Sequence, residues 1–355
     1  MNLTERNQKI IAAVIERAGR VCPGSLALIG VYGSFATGDV HEKSDLDLLI
    51  LINDERGRQL SAAFIQDDLS VGHDLYCTTW DSLAAYARYE HPHIAKLMDS
   101  VVVYCADESS SARLEALRSQ ARAILSAPLS EKDLAKAESQ LREAELCCMN
   151  ALTAQTRPEA LNEIGGMLYY AENAVALLNK RYFRLGVRRI YEELSAMPLR
   201  PENLCERIEA LVSAGSTESL RENALLFIRE LRECFKEARL LLPFAKNPPA
   251  ADALRDTYEE MFSNWRNKMY LAAGLNNRHL SFMSLASLNA MMADIAADTD
   301  VGSFDLMGAY DPQDLTKTAE SFDEALNRYR LLYRQVGLQE ARYPDVEAFL
   351  REYMK

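Results

Sequence analysis

Five consecutive apolar residues, Leu48 to Ile52, follow directly on two aspartates spaced one residue apart, Asp45 and Asp47. Strand side chains alternate between faces, so an unbroken apolar run predicts a strand packed on both sides rather than one half open to water. Such a strand is rigid. Asp45 and Asp47 then project to the same side at its head, with Cα atoms about 7 Å apart at ~3.3 Å per residue.

The chain around this strand divides into two kinds of pattern. Up to about residue 110 helical and strand-like stretches alternate: a helix over about 4 to 20, strands at "SLALIGVYG" and "DLDLLILIND", and a helix near 55 to 69. A strand at "GHDLYCTTW", a helix from about 81 and a strand at "SVVVYCA" follow. After Ser111 the pattern is helical almost throughout, with helix-start signals at Ser130 (three residues before Asp133), Pro158, Pro201, Pro312 and Pro344. Asn247, Pro248 and Pro249 break the pattern between two long helices. The expected architecture is α+β, an N-terminal mixed sheet over 1–110 followed by a large all-α region. That region divides into 111–247 and a further bundle, 248–355, which can also be read as continuous with it.

Composition narrows the classes of function. With 48% hydrophobic and 26% charged residues in 355, the chain is ordinary for a globular protein of two or three domains, and no apolar run reaches the ~18 residues that span a bilayer. The first twenty residues lack the basic start and apolar middle of a secretory signal, so a cytoplasmic location is expected, with no membrane partner. Seven cysteines, an odd number without a C-x-x-C pair, read as reduced thiols. A net charge of −12 argues against a nucleic-acid partner, since such binding draws on clustered Lys and Arg.

Two carboxylates on one rigid strand end raise each other's pKa and destabilise the fold unless a cation sits between them. Mg²⁺ takes one or two carboxylates together with substrate phosphates. Upstream, Gly33 and Ser34 follow a strand and open a turn whose N–H groups are free for an anion; glycine admits a phosphate close to the backbone, and the serine adds a hydroxyl. An anion cradle beside a metal-holding pair is what a nucleoside triphosphate complexed with Mg²⁺ requires.

Gly33-Ser34, ten intervening residues and Asp45-Leu46-Asp47 resemble the G-S-x10-D-x-D signature of the polymerase-beta-like nucleotidyltransferase superfamily. The preceding apolar strand, Gly38, Ser44 and the apolar run after Asp47 fit the same signature, and the likeness covers roughly residues 20 to 108. It implies a third metal-binding carboxylate on a neighbouring strand. Asp74 in "VGHDLYCTTW" occupies that place, with Asp67 and Asp68 as alternatives on the exposed side of a helical pattern. The resemblance also implies transfer of NMP from an NTP, ATP by expectation, to an acceptor hydroxyl at a two-metal Mg²⁺ site. Asp45, Asp47 and Asp74 would hold the metal, with Asp74 a ligand or a general base near the acceptor; Gly33 and Ser34 would meet the phosphates.

The segment after Gly-Ser, "FATGD", lacks the arginine of many small bacterial members. Replacement charge is sought in "NKRYFRLGVRR", with Lys180 the residue favoured for the triphosphate and the others equally readable as a solvated helix end. The layout resembles the aminoglycoside and lincosamide nucleotidyltransferases, which implies a small-molecule hydroxyl acceptor, an antibiotic among the candidates. Modification of a protein or an RNA end, and a nucleotide-binding interaction module without turnover, are the alternatives. The oligomeric state is open, a homodimer included. His91 and His93 around Pro92 read as a turn, because nothing supplies the other ligands of a metal site, and Trp265 in "NWRNK" reads as a packing anchor.

Overall fold

The computed structural model describes residues 3–242, 248–302 and 306–355. The chain forms two compact units, 1–242 and 243–355. Unit 1 opens with α1 (Leu3–Val21), β1 (Leu26–Val31), the one-turn α2 (Ser34–Thr37) and β2 (Leu48–Ile52). Next come β3 (Ala62–Gln66), β4 (Val71–Leu75), β5 (Cys77–Thr79), α3 (Trp80–Ala87), α4 (Ala95–Met98) and β6 (Val101–Cys105). The helices α5 (Glu108–Ser126), α6 (Glu131–Thr153), α7 (Arg157–Leu178), α8 (Ile190–Ser195), α9 (Leu204–Val212) and α10 (Thr217–Leu241) complete the unit.

The main sheet runs β5-β2-β1-β6, mixed in direction: β1 is antiparallel to β2 and β6, and β2 is parallel to β5. All five β2 residues are buried, and their alternation divides them between two apolar clusters. Leu48, Ile50 and Ile52 join Val14 and Ala18 of α1, while Leu49 and Leu51 join a larger cluster that takes in α3 and the helices from α5 to α10. One apolar core thus continues from the sheet into the helical part of the unit, which fixes the sheet's position relative to α7.

Two local expectations are corrected. Residues 55–69 form a 3-10 turn (Glu55–Leu60) and then β3, which pairs antiparallel with β4 as a separate hairpin. Asp67 and Asp68 sit in its turn rather than on a helix. The run "GHDLYCTTW" is two strands, because the chain leaves β3's partner at Leu75 and joins β2 only at Cys77. The helix starts behave as the sequence indicates: Ser130 and Asp133 form a reciprocal capping box on α6, and Pro158 lies in the first turn of α7.

Unit 2 comprises α11 (Ala251–Leu254), α12 (Thr257–Glu260), α13 (Asn267–Gly274), α14 (Arg278–Asp298), α15 (Leu315–Gln335) and α16 (Val346–Tyr353) around its own apolar cluster. A π-helical turn, Met261–Arg266, carries Trp265, which packs against that cluster under the Lys268 amine. Arg266 pairs with Asp323 at 2.6 Å. Of the expected break, Asn247 lies outside the described residues; Pro248 and Pro249 precede α11. Among the described residues no helix is long and apolar enough to cross a membrane.

Candidate active site

β1 ends at Val31, and the chain turns at Gly33 with φ 65° and ψ −144° to start α2. The turn is closed by Ala36 and Thr37 donating to the Gly33 carbonyl at 3.0 and 3.1 Å. A side chain at Gly33 has no room: its Cβ would lie 1.9 Å from Asp47 Oδ2. Glycine is needed here twice over, for the positive φ and for this approach. The first-turn N–H groups of Ser34 and Phe35 have no intrahelical acceptor, and Ser34 Oγ is buried without a hydrogen-bond partner. A buried hydroxyl left unpaired costs free energy, which marks it as a group awaiting a ligand.

Asp45 and Asp47 lie just before β2 rather than within it, although Tyr32 N–H donates to the Asp47 carbonyl at 3.1 Å and carries the ladder one step further. Asp45 is exposed and Asp47 half-buried. Burial, and then the charge of Asp45, push the Asp47 carboxyl up to about 6, against the pull of Lys96. Neither carboxylate has a side-chain hydrogen bond or salt bridge among the described residues. The backbone leading into the pair is pinned from α1, where buried Arg6 donates through Nη2 to the Ser44 carbonyl at 2.7 Å.

Asp74 stands on the exposed side of β4, where Val71, His73 and Leu75 face inward. Ile50 pairs with Cys77 in the parallel β2–β5 ladder, so counting three residues back along both chains brings Asp47 level with Asp74. Yet β4 has diverged to pair with β3, Asp74 opposite Ala63. Among the described residues no three His, Cys, Asp or Glu gather closely enough to hold a metal ion. The structure therefore brings Asp45, Asp47 and the Gly33 turn together and leaves Asp74 outside the cluster, on a strand paired with β3.

Lys180 is placed elsewhere. It is 8% exposed, and its Nζ donates to Pro128 O at 3.2 Å and Asp133 Oδ2 at 3.1 Å, locking the end of α7 to the start of α6. A buried ammonium requires a counter-ion, and Asp133 is that counter-ion, so this amine is spent on the fold instead of on a triphosphate. The later arginines of the same basic segment do reach the turn. Arg188 Nη2 donates to Asp39 Oδ1 at 3.1 Å, and Arg189 Nη1 donates to both Asp39 oxygens at 3.2 and 3.0 Å. Asp39 follows Gly38, the left-handed cap of α2.

The cation that acts on Asp47 is one the sequence reading missed. Lys96, on α4, donates to Thr78 Oγ1 at 3.3 Å and lies 5.4 Å from the centre of the Tyr32 ring. Burial lowers its pKa, opposed by Asp47. Its signal in the sequence was a lysine set among Ile94, Leu97 and Met98, an apolar setting that an ammonium enters only with a partner.

Residues 9–103 match the family model described as nucleotidyltransferase domain. Among solved structures, a nucleotidyltransferase-like protein from Exiguobacterium sibiricum 255-15 is similar over 75% of this chain and 90% of its own, at 10% identity and a TM-score of 0.37. No curated protein matches. The match spans the sheet that carries Gly33, Asp45 and Asp47: residues 9–103 are a nucleotidyltransferase domain.

Proposed function

We propose that the protein transfers a nucleoside monophosphate, AMP by preference, from an NTP to a hydroxyl of a small-molecule acceptor of the aminoglycoside type and releases pyrophosphate. In this reading residues 1–110 hold the donor, helices within 111–247 select the acceptor, and the enzyme works in the cytoplasm. The observation that supports it is the close approach of Asp47 to Gly33, next to the buried, unpaired Ser34 hydroxyl and beside Asp45, with neither carboxylate paired among the described residues.

That donor set fits a divalent cation. Burial and the charge of Asp45 push the Asp47 carboxyl up to about 6, a cost to the charged form that a cation between the pair would relieve. Asp45 and Asp47 would hold Mg²⁺, with Asp74 as a further ligand or as the base facing the acceptor. Bound there, the metal supplies Lewis-acid screening of the triphosphate and of the leaving pyrophosphate. The chain's own residues do the positioning. The Ser34 hydroxyl and the N–H groups of the turn donate to phosphate oxygens, and the Gly33 hydrogen lets the phosphates approach. Lys96 sets a fixed positive charge beside Asp47, and Arg188 and Arg189 hold the turn through Asp39. In such reactions most of the rate comes from placement and charge stabilisation rather than from covalent chemistry.

The net charge of −12 suits a cationic small acceptor better than a phosphate backbone. The test is pyrophosphate release with each NTP and Mg²⁺ across aminoglycoside and lincosamide acceptors, with Asp47→Asn as control. Turnover that Asp47→Asn abolishes is expected. No turnover with any acceptor, together with no rise in melting temperature on adding ATP·Mg²⁺, would refute the proposal.

A further inference from the structure

Two buried side chains that feel the charge of Asp45 each keep one nitrogen unspent. Arg6 of α1 is 3% exposed. Its Nε donates to Asn7 Oδ1 at 3.0 Å and its Nη2 to the Ser44 carbonyl at 2.7 Å, but Nη1 is sealed from solvent without an acceptor. His73 of β4 is 1% exposed. Its Nε2 lies 3.3 Å from Gln66 Oε1, so a neutral ring carries its proton there and Nδ1 is a bare acceptor that no donor meets.

An unmet N–H on a guanidinium taken out of water costs more than one on a neutral group. Burial lowers the Arg6 pKa, opposed by the charge of Asp45. Two acceptors compete for Nη1. His73 is fixed where it stands, by Gln66 at one nitrogen and by the Phe64 ring stacked on it with centroids 4.9 Å apart. Asp45 follows directly on Ser44, whose carbonyl the same guanidinium already holds, and its side chain is exposed and unpaired among the described residues. A carboxylate is also the stronger acceptor, because its bond to a guanidinium is charge-assisted. Of the two, Asp45 is the group free to turn to Nη1.

We propose that Arg6 is the positioning residue of the carboxylate pair: its Nη1 takes one Asp45 oxygen and so fixes the direction in which the other meets a divalent cation. A metal-bound carboxylate keeps its orientation through such a second bond, and losing the bond typically costs about 10–100-fold in metal affinity. Lysine cannot stand in for Arg6, since a single ammonium keeps the charge and the bond to the Ser44 carbonyl but lacks the fork that reaches a second acceptor. The assignment rests on the transfer reading for the purpose of the cation, and its test uses the metal alone.

Mn²⁺ is titrated into the full chain without nucleotide, free ion being read by electron paramagnetic resonance. The proteins are wild type, Arg6→Lys, Asp45→Asn, the double variant and, as a surface control, Arg20→Lys, with metal-free melting to show that each folds. Expected is Mn²⁺ binding that Arg6→Lys weakens about tenfold or more and Arg20→Lys leaves unchanged, while in the Asp45→Asn background Arg6→Lys weakens it no further. That last result separates positioning through Asp45 from a structural role or a bond to His73, either of which would lower affinity in both backgrounds. Should Arg6→Lys not fold, Arg6→Gln, whose amide N–H can still meet the Ser44 carbonyl, replaces it, and failure of both to fold overturns the assignment. So does affinity that Arg6→Lys leaves within twofold, a double variant weaker than Asp45→Asn, or a wild type that binds no Mn²⁺. The ATP·Mg²⁺ thermal shift of the wild type, measured in parallel, reports the transfer reading separately: a shift together with undiminished Mn²⁺ binding by Arg6→Lys refutes this assignment alone.

Discussion

Replacing Glu172 by glutamine should make the protein more stable, by a margin that grows as pH rises from the ordinary carboxylate range to the pH at which the buried carboxyl ionises. Its pKa stands at about 7 against an ordinary 4.5, with burial as the cause. Between those values the native state holds a proton that the unfolded chain has already lost, so native stability falls as pH rises through the window. A rise of about 2.5 in pKa, at about 1.4 kcal/mol for each, sets a ceiling of about 3.5 kcal/mol. Because the oxygens retain some contact with water, about 2 kcal/mol is the working figure. Glutamine has the shape of the protonated acid and no charge to desolvate. At pH 4, below both values, wild type and Glu172→Gln should therefore unfold nearly together in urea. At pH 8 the variant should be the more stable by about 2 kcal/mol, or about 4–8 °C in melting temperature for a unit of this size. An equal difference at both pH values, or a variant less stable at pH 8, would show that the carboxylate is paired after all.

Other changes separate fold from chemistry. Gly33→Ala should cut turnover by two orders of magnitude or more, because its Cβ would lie 1.9 Å from Asp47 Oδ2; the accompanying loss of stability, about 1–3 kcal/mol, is read by denaturation. Lys180→Met leaves Asp133 buried without its counter-ion and should cost about 3 kcal/mol; the ATP·Mg²⁺ thermal shift of the folded variant should survive, and its loss would restore Lys180 to the phosphates. Lys96→Met should weaken nucleotide binding and lower kcat together, measured as pyrophosphate release, since it removes the cation nearest Asp47. Arg189→Ala should raise the nucleotide KM, on the order of fivefold, while leaving the thermal stability of the protein nearly unchanged.

The parts of the fold that were legible in the sequence were those in which one local signal dominates. The apolar run of β2 required cover on both faces, and α1 and the helical cluster provide it. Ser130 and Pro158 marked helix starts because caps act within one turn. β3 was misread as helix because its residues are largely exposed, leaving no inward face to set a period of two. Gly33, Ser34, Asp45 and Asp47 were legible since turn and strand head are close in sequence. Lys96 was not, because its relation to Asp47 depends on α4 folding back over the end of β5. The role of Lys180 depended on Asp133, 47 residues away, a pairing that no spacing rule announces.

The Asp39 bridge has a thermodynamic meaning beyond the holding of a turn. Residues 187–189 follow α7 in the chain, and through Arg188 and Arg189 they grip a carboxylate one residue past the cap of the phosphate turn. The Gly33 turn and the segment that follows α7 are thereby parts of one linked equilibrium. Any ligand on α7 that tightens or loosens this grip changes nucleotide affinity, and by reciprocity bound nucleotide changes affinity for that ligand by the same factor.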